Sequence, residues 1–331
     1  MRAIQVEQFG GPEALVLVEV ADPHPGPGEL LIEVTGVGVN FADTHQVENS
    51  YLSPTTLPFI PGSEVIGLEV ATGRRMAGLV SSGGGYAERA LIAEAFSFEV
   101  PTSVSDAQAL ALLVQGLTAW HLLTTSTRLQ PGESLVVHAA AGGVGNLAVQ
   151  LGRHLGAGLI IPTASTPEKI AAARELGADE GVVIRADDDA DTIAAGLRTA
   201  AGGGVDVILE MVGGATFDGS LKSLARFGRL ATYGMASRTA PRSVPPGQLM
   251  VGSHSIIGFW LMDCIGADRA QQWVVEPLAQ LVQLVTEGVL RPLAGGTYAL
   301  EDARTAHEQM RARRTTGKVV LDPRLLPGST T

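Results

Sequence analysis

An alternation of apolar runs and amphipathic stretches from Ser134 to Gly234 constrains the fold of this 331-residue chain most strongly. The runs SLVVHA, LIIPTA, GVVI, VDVILEMV and RLATYG are short enough for strands, and segments with helical spacing follow the first four. One such segment, PEKIAAARELG, has Thr166 as a predicted N-cap, Pro167 at its first position and Gly177 as its stop. Repeated βα units predict a doubly wound parallel sheet with helices on both faces, hence an α/β fold.

The segments on either side of this region have a different character. Residues 1 to about 100 contain short β-branched or alternating runs separated by Gly and Pro, which predict a β-rich unit of barrel or sandwich type. The tail mixes helical spacing with short apolar strands. We therefore predict three segments along the chain: a β-rich unit over 1–122, an α/β unit over 123–262 and a mixed tail over 263–331.

Charge and composition exclude several classes of partner. A net charge of −11 argues against nucleic acid, because phosphate binding needs a basic face. No apolar run is long enough to cross a bilayer, and the N-terminus lacks the apolar core of a signal peptide, so we expect a cytoplasmic protein without a membrane partner. The single cysteine, Cys264, excludes an internal disulfide and a cysteine-based metal cage.

The loop HAAAGGVG, which follows the first strand of the alternating region, predicts a site for the pyrophosphate of a dinucleotide. Gly142 allows the backbone to approach phosphates, and Gly145 allows the helix to pack closely on the strand. Ala140 replaces the first glycine of the usual pattern and is small enough for a turn with negative φ. A packing turn of small residues is the alternative, which the strand–loop–helix context disfavours. The predicted contacts are Ala141, Gly142, Gly143, Val144 and Gly145.

The residues after the second strand predict which dinucleotide binds. An NAD site has Asp or Glu at the end of this strand to hold the ribose 2′-hydroxyl. Here Ser165 and Thr166 follow LIIPTA, and Lys169 lies one helical turn further on. A hydroxyl and a cation accept a 2′-phosphate, whereas a carboxylate would repel it. The sequence therefore predicts NADPH, although Lys169 could also be an ordinary exposed helix lysine.

Motifs along nearly the whole chain resemble one family. HAAAGGVG, TASTPEK and ELGAD are joined by GVGVNFADTH, PGSEVIG, QGLTAW, GFWL and TGKVVL. Together they resemble the quinone oxidoreductase (zeta-crystallin-like) branch of the medium-chain dehydrogenase/reductases. The resemblance implies a GroES-like β-rich catalytic domain formed by 1–122 and 263–331, around an inserted Rossmann domain over 123–262 that binds the cofactor. It also implies a homodimer formed through the apolar edge strand at 255–261.

The resemblance places Asn40 and Ser63 near the positions where zinc-dependent relatives have a cysteine and a histidine. Zinc needs at least three protein ligands of the thiolate, imidazole or carboxylate type, and the seven histidines show no paired metal spacing. We therefore predict no metal site. Without a Lewis acid, a quinone or an α,β-unsaturated carbonyl is an easier hydride acceptor than an unactivated ketone, since conjugation spreads the incoming charge.

The resemblance also implies the site residues. Asn40 is the predicted hydrogen-bond donor, while Tyr51 and His45 are alternative proton donors whose competing interpretation is an exposed loop position. Asp43 is expected to cap or pair locally. Arg185 follows Ile184, which stands where the family often has a tyrosine for the 2′-phosphate. Either Arg185 supplies the positive charge instead, or the preference for NADPH is reduced. The further predicted cofactor contacts are Thr118, Gly234, Phe259, Trp260 and Lys318.

Several functions remain open at this level. Within the family, quinone and enone substrates are not separated by the sequence, and an enoyl-thioester or 2-alkenal reductase is similar. A non-enzymatic NADPH-binding sensor is a different class, because a fold does not fix a function. A serine hydrolase is disfavoured, because the chain has no G-x-S-x-G motif.

Overall fold

A computed structural model describes residues 1–265 and 269–329 of the chain. The chain divides into two compact units: the first comprises Met1–Gly116, Cys264–Gly288 and Pro292–Thr331, and the second comprises Leu117–Asp263 and Val289–Arg291. Residues 289–291 join the second unit because the Gln150 side chain bonds the backbone N–H and C=O of Arg291 at 2.7 and 3.0 Å. The domain limits predicted at 122 and 262 stay a prediction.

The elements follow one another in chain order. The strands are β1 Arg2–Gln5, β2 Val16–Glu19, β3 Glu29–Val39, β4 Glu64–Glu69, β5 Arg75–Ser82, β6 Arg89–Glu99, β7 Ser134–Val137, β8 Leu159–Ala164, β9 Val182–Val183, β10 Val205–Glu210, β11 Leu224–Thr232, β12 Ser255–Gly258, β13 Ala294–Ala299 and β14 Lys318–Asp322. The α-helices are α1 Phe41–Val47, α2 Asp106–Ala111, α3 Leu117–His121, α4 Gly143–His154, α5 Pro167–Glu175, α6 Ala190–Ala201, α7 Gly214–Ser223, α8 Pro246–Met250, α9 Glu276–Thr286 and α10 Ala303–Arg311. Shorter helical turns of 3₁₀ or π type are Pro12–Ala14, Leu112–Gly116, Leu122–Ser126, Leu261–Cys264, Gln271–Val275 and Leu300–Asp302.

The first unit is built on one curved sheet with the strand order β13-β14-β3-β4-β5-β6. The long strand β3 also pairs with β6, so the sheet bends back on itself, and β1 and β2 form a separate antiparallel ribbon. Its buried core includes Ile32, Val37, Val65 and Leu321. The C-terminal strand β14 lies beside β3, with Val320 opposite Gly38. This register brings the end of the chain next to residues near its beginning.

The second unit contains the parallel sheet predicted from the βα alternation. Its strand order is β12-β11-β10-β7-β8-β9, so the chain starts at β7, moves outward to β9 and then returns to continue on the other side through β10. The order therefore reverses between β7 and β10. In doubly wound sheets, ligands bind beyond the carboxyl ends of the strands at such a reversal. The predicted α/β fold is confirmed.

The local signals for α5 act as predicted. Thr166 is its N-cap and accepts a hydrogen bond from the N–H of Lys169, and Pro167 is the first helical residue. Gly177 has φ +104°, a conformation that L-residues with a side chain rarely adopt. Within the described residues, no helix combines the length and apolar character needed to span a membrane.

Candidate functional site

The loop between β7 and α4 lies at the strand reversal of the second unit. Gly142 is the N-cap of α4, so the first N–H groups of the helix have no acceptor within it. A Cβ on Gly145 would lie 2.3 Å from the carbonyl oxygen of Ala139, which confirms the close-packing role predicted for this glycine. The left-handed residue of the turn is Ala139, with φ +50°. The loop thus offers free N–H groups and a helix N-terminus to an anion.

The end of β8 contains no acidic residue. Ser165 follows the strand and is half-buried, and Thr166 caps α5. The nearest carboxylate along the chain is Glu168, which is exposed on the first turn of α5. Beyond β9, Arg185 is exposed, and its backbone N–H donates to Asp188 at 2.7 Å. This edge of the sheet is therefore compatible with an additional phosphate on a ribose.

Other predicted cofactor residues lie in or after elements of the second unit. Gly234 follows β11, and Phe259 and Trp260 follow β12, so all three lie beyond the carboxyl ends of parallel strands. The N–H of Phe259 donates to the carbonyl of Thr232 at 2.9 Å, and its ring stacks on His121 with centroids 5.9 Å apart. Thr118 is buried on α3. Their contact with a cofactor stays a prediction.

In the first unit, Asn40 directly follows β3 and is the N-cap of α1. The residue is 5 % exposed, and both ends of its side-chain amide form hydrogen bonds. Its Nδ2 donates to Glu64 Oε1 at 2.9 Å, and its Oδ1 accepts from Lys318 Nζ at 3.1 Å and from Gln115 Nε2 at 3.4 Å. These contacts fix a polar amide at the end of a rigid strand.

Lys318 lies in an environment that the sequence did not indicate. Its side chain has no exposed surface and forms an ion pair with the equally buried Glu64. The structure therefore gives Lys318 partners within the first unit, while its predicted role as a cofactor contact stays a prediction. Glu64 was not identified from the sequence as a site residue, although it stands in the PGSEVIG motif. A single glutamate in a strand does not indicate that its partner is Lys318.

A second buried network holds the backbone of Asn40. Asp43 Oδ2 accepts from the N–H of Asn40 at 2.8 Å, which confirms that Asp43 caps its own helix. The same oxygen accepts from the Tyr86 hydroxyl, which also lies 2.9 Å from His307 Nε2. Burial raises the pKa of Asp43 to about 7 and lowers the pKa of His307 to about 3. His307 is therefore neutral at physiological pH.

The two candidate proton donors follow Asn40 along the chain. His45 lies on α1 and is 8 % exposed, so the competing interpretation of an exposed loop histidine is wrong for this residue. Its Nδ1 lies 2.8 Å from the hydroxyl of Ser50, the residue before Tyr51. Tyr51 is half-buried in the loop after α1. The structure places Asn40 at the N-cap of the short helix that contains His45, and the proton-donor roles stay predictions.

This arrangement defines a two-unit chain of the dehydrogenase/reductase type, with a doubly wound nucleotide-binding sheet. Residues 26–102 match the alcohol dehydrogenase GroES-like domain, and residues 176–321 match a family described as zinc-binding dehydrogenase. A quinone oxidoreductase from Lama guanicoe is 34% identical over 97% of both chains. A 2-haloacrylate reductase from Burkholderia sp is 32% identical over 97% of this chain and 98% of that protein.

A solved structure extends the comparison. The mycobacterial protein Rv1454c, complexed with NADPH, superposes with a TM-score of 0.89 at 35% identity and covers 98% of this chain and 100% of its own. The chain belongs to the quinone oxidoreductase branch of the medium-chain dehydrogenase/reductase superfamily.

The zinc named in one family description can be tested against the residues present. Among residues 1–265 and 269–329, no group of three or more His, Cys, Asp or Glu side chains could hold a metal ion. The amide of Asn40 is engaged by Glu64 and by the ammonium of Lys318, whose positive charge opposes a second cation. These residues do not fit a zinc ion, and no chemical step is derived through one.

Proposed function

We propose that this protein is an NADPH-dependent reductase of quinones and related α,β-unsaturated carbonyl compounds. The observation that carries the proposal is the Gly142–Gly145 loop at the start of α4, beside β8, which is followed by Ser165 instead of an acidic residue. The full-length similarity to quinone oxidoreductases supports the substrate class, and the similarity to a 2-haloacrylate reductase supports its extension to activated alkenes.

The second unit would hold the cofactor. The N–H groups at the start of α4 would bind the pyrophosphate, and the helix N-terminus adds roughly half a positive elementary charge. Ser165, Lys169 and Arg185 would receive the 2′-phosphate through a hydroxyl and two cations. Thr118, Gly234, Phe259 and Trp260 would hold the nicotinamide end. NADPH, when bound, supplies the hydride from its nicotinamide ring.

The first unit would supply the hydrogen bond to the substrate. Hydride addition to a conjugated carbonyl places negative charge on its oxygen, and a fixed N–H donor stabilises that charge without reorganisation. Asn40 is such a donor, because its amide is fixed on both sides by charged groups. His45 or Tyr51 would then pass a proton. This chemistry requires no metal, and we propose that the reductase is zinc-independent.

The proposal is tested by NADPH oxidation in the presence of a panel of quinones and enones. We expect turnover with at least one class, and we expect Asn40→Ala to lower kcat by about a hundredfold to a thousandfold, since one preorganised donor is lost. Tyr51→Phe and His45→Gln identify the proton donor by which of them lowers kcat. Tight NADPH binding without any turnover would instead favour the sensor function.

We also propose a cytoplasmic homodimer joined through the 255–261 segment. The support is the position of β12 at the edge of the second unit's sheet, where Ile256 and Ile257 are half-buried. An apolar edge strand with unpaired backbone groups favours pairing with another chain. Strand pairing across a two-fold axis would continue the sheet into the second copy.

A further inference from the structure

We propose that Lys318 and Glu64 are positioning residues, which hold the carboxamide of Asn40 in one orientation so that it can donate a hydrogen bond to the substrate oxygen. The inference rests on the proposed function, because it assigns a role within that site. Three side chains far apart in sequence carry it: Lys318 and Glu64 are separated by 254 residues, and Lys318 and Asn40 by 278.

The contacts discriminate between the two ends of the amide. Glu64 Oε1 accepts from Asn40 Nδ2 at 2.9 Å, and Lys318 Nζ donates to Asn40 Oδ1 at 3.1 Å. A flipped amide would place its oxygen against the carboxylate and its NH₂ against the ammonium. Both contacts would become repulsive in a buried place where charge interactions are strong. The ion pair therefore selects one of the two amide orientations.

The ion pair is complete without a further ligand. Glu64 Oε2 accepts from the N–H of Val114 at 2.7 Å, while Lys318 Nζ also lies 3.5 Å from the carbonyl oxygen of Val39. A buried charge pair is tolerated when its remaining donors and acceptors are satisfied in this way. The pair is thus a fixed part of the first unit, and Asn40 is the adjoining polar side chain at the end of β3.

The backbone leaves room for this arrangement at Gly38. A Cβ there would lie 2.3 Å from Glu64 Oε1 and 2.6 Å from Lys318 Cε. Gly38 lies two residues before Asn40. In the pairing of β3 with β14 it stands opposite Val320, which lies two residues after Lys318. The absence of a side chain at 38 is therefore what allows both charges to reach the amide.

The orientation has a chemical consequence. Within the described part of the chain, Asn40 Nδ2 donates to Glu64 and leaves its second N–H for a ligand. A donor that is already aimed contributes more to a developing oxyanion than one that must first rotate. The ion pair contacts the Asn40 amide in the first unit, whereas the second unit is proposed to hold NADPH. Loss of the ion pair should therefore change kcat more than the KM for NADPH.

The test is a double-mutant cycle on the purified protein. Glu64→Gln combined with Lys318→Met removes both charges at similar size, so that no buried charge is left unpaired. We expect kcat to fall about tenfold, which is less than for complete loss of a donor, with the KM for NADPH changed less than twofold. Asn40→Ala should then lower kcat by a smaller factor in this background than in the wild type, because residues that act as a unit are not additive.

A second readout does not depend on activity. In ¹⁵N-labelled protein, the signal pair lost in Asn40→Ala identifies the Nδ2 hydrogens. We expect two well-separated signals in the wild type and a smaller separation in the double variant. The control variant Arg75→Met/Asp106→Asn removes a half-exposed ion pair of the same unit and should leave these signals and kcat unchanged. Glu64→Asp, which keeps the charge but retracts it, provides a second variant if the double variant does not fold.

The outcomes separate this inference from the proposed function. A wild type that reduces no quinone or enone overturns the proposed function, and the amide signals then still test the positioning. If the wild type turns over and the double variant keeps its kcat and its amide signals, the positioning inference is wrong. The same holds if Asn40→Ala lowers kcat equally in both backgrounds, because the ion pair then acts independently of the amide.

Discussion

The hydroxyl of Tyr86 donates to Oδ2 of Asp43 across 3.0 Å, and neither side chain has any exposed surface. In the described residues, the other oxygen, Oδ1, lies buried without a hydrogen-bond partner. Burial is the largest cause that raises the pKa of Asp43 from 3.8 to about 7, and its hydrogen bonds with Asn40 and Tyr86 oppose the rise. The backbone of Asn40 is thus attached to a carboxyl group that changes charge near neutral pH.

This carboxyl group makes stability depend on pH. An acid with a higher pKa in the folded state contributes its stabilisation fully below the unfolded pKa, here 3.8, and loses it as the pH rises to about 7. We expect Asp43→Asn to remove this dependence, whose slope is at most about 1.4 kcal/mol per pH unit for one proton. Melting temperatures at pH 5 and pH 8 measure the change. The melting temperature of the variant, relative to that of the wild type, should be higher at pH 8 than at pH 5.

Glu210 is a second buried acid that should contribute to the same pH dependence of stability. Burial raises its pKa to about 7 as well, and it lies in the second unit, where Oε1 accepts from the N–H groups of Val212 and Gly213. Glu210→Gln should flatten the pH dependence further when combined with Asp43→Asn. An unchanged slope in the double variant would show that other groups govern the loss of stability as the pH rises to about 7.

Replacement of Gly145 by alanine should disrupt the nucleotide loop. The new Cβ would lie 2.3 Å from the Ala139 carbonyl oxygen, so either α4 or the loop must move. Overpacking of this kind costs about 1–3 kcal/mol, and the same movement displaces the N–H groups that would bind pyrophosphate. We expect a lower melting temperature and at least a tenfold higher Kd for NADPH. Gly203→Ala is the matched control, because its Cβ would meet no atom within 4 Å.

A carboxylate at the end of β8 should change the choice of cofactor. Ser165→Asp restores the acidic residue that an NAD site uses for the ribose 2′-hydroxyl, and it repels a 2′-phosphate. We expect the Kd for NADPH to rise by about tenfold or more, which corresponds to about 1.4 kcal/mol, while NADH binding is kept or improved. Ser165→Ala is the control for loss of the hydroxyl alone. Equal affinities for both cofactors in the wild type would contradict the NADPH assignment.

A charge on the edge strand should separate the proposed dimer. Ile257 lies on β12, whose outer side has no neighbouring strand among the described residues of the second unit. Ile257→Lys introduces the kind of residue that blocks edge pairing. We expect light scattering at micromolar concentration to give the mass of a dimer for the wild type and of a monomer for the variant. A wild-type monomer would overturn the proposed homodimer.

The nucleotide-binding sheet could be predicted because its signals are local. The βα alternation, the cap at Thr166, the stop at Gly177 and the close packing at Gly145 each depend on a few neighbouring residues. The turn before α4 was predicted less completely. Ala139, and no glycine, adopts the left-handed conformation there, since the tertiary contacts of the loop outweigh the modest cost of that backbone state.

The sequence by itself determined the fold class, the helix whose N-terminus is predicted to bind an anion, and the lack of an acid after β8. The tertiary structure alone decided which polar side chains share a buried site. Glu64 and Lys318 meet at Asn40 because β4 and β14 both pair with β3, with Val65 opposite Val37 and Val320 opposite Gly38. Strand register over such separations leaves no periodic trace in the sequence, whereas burial makes the resulting charge pairs strong and specific.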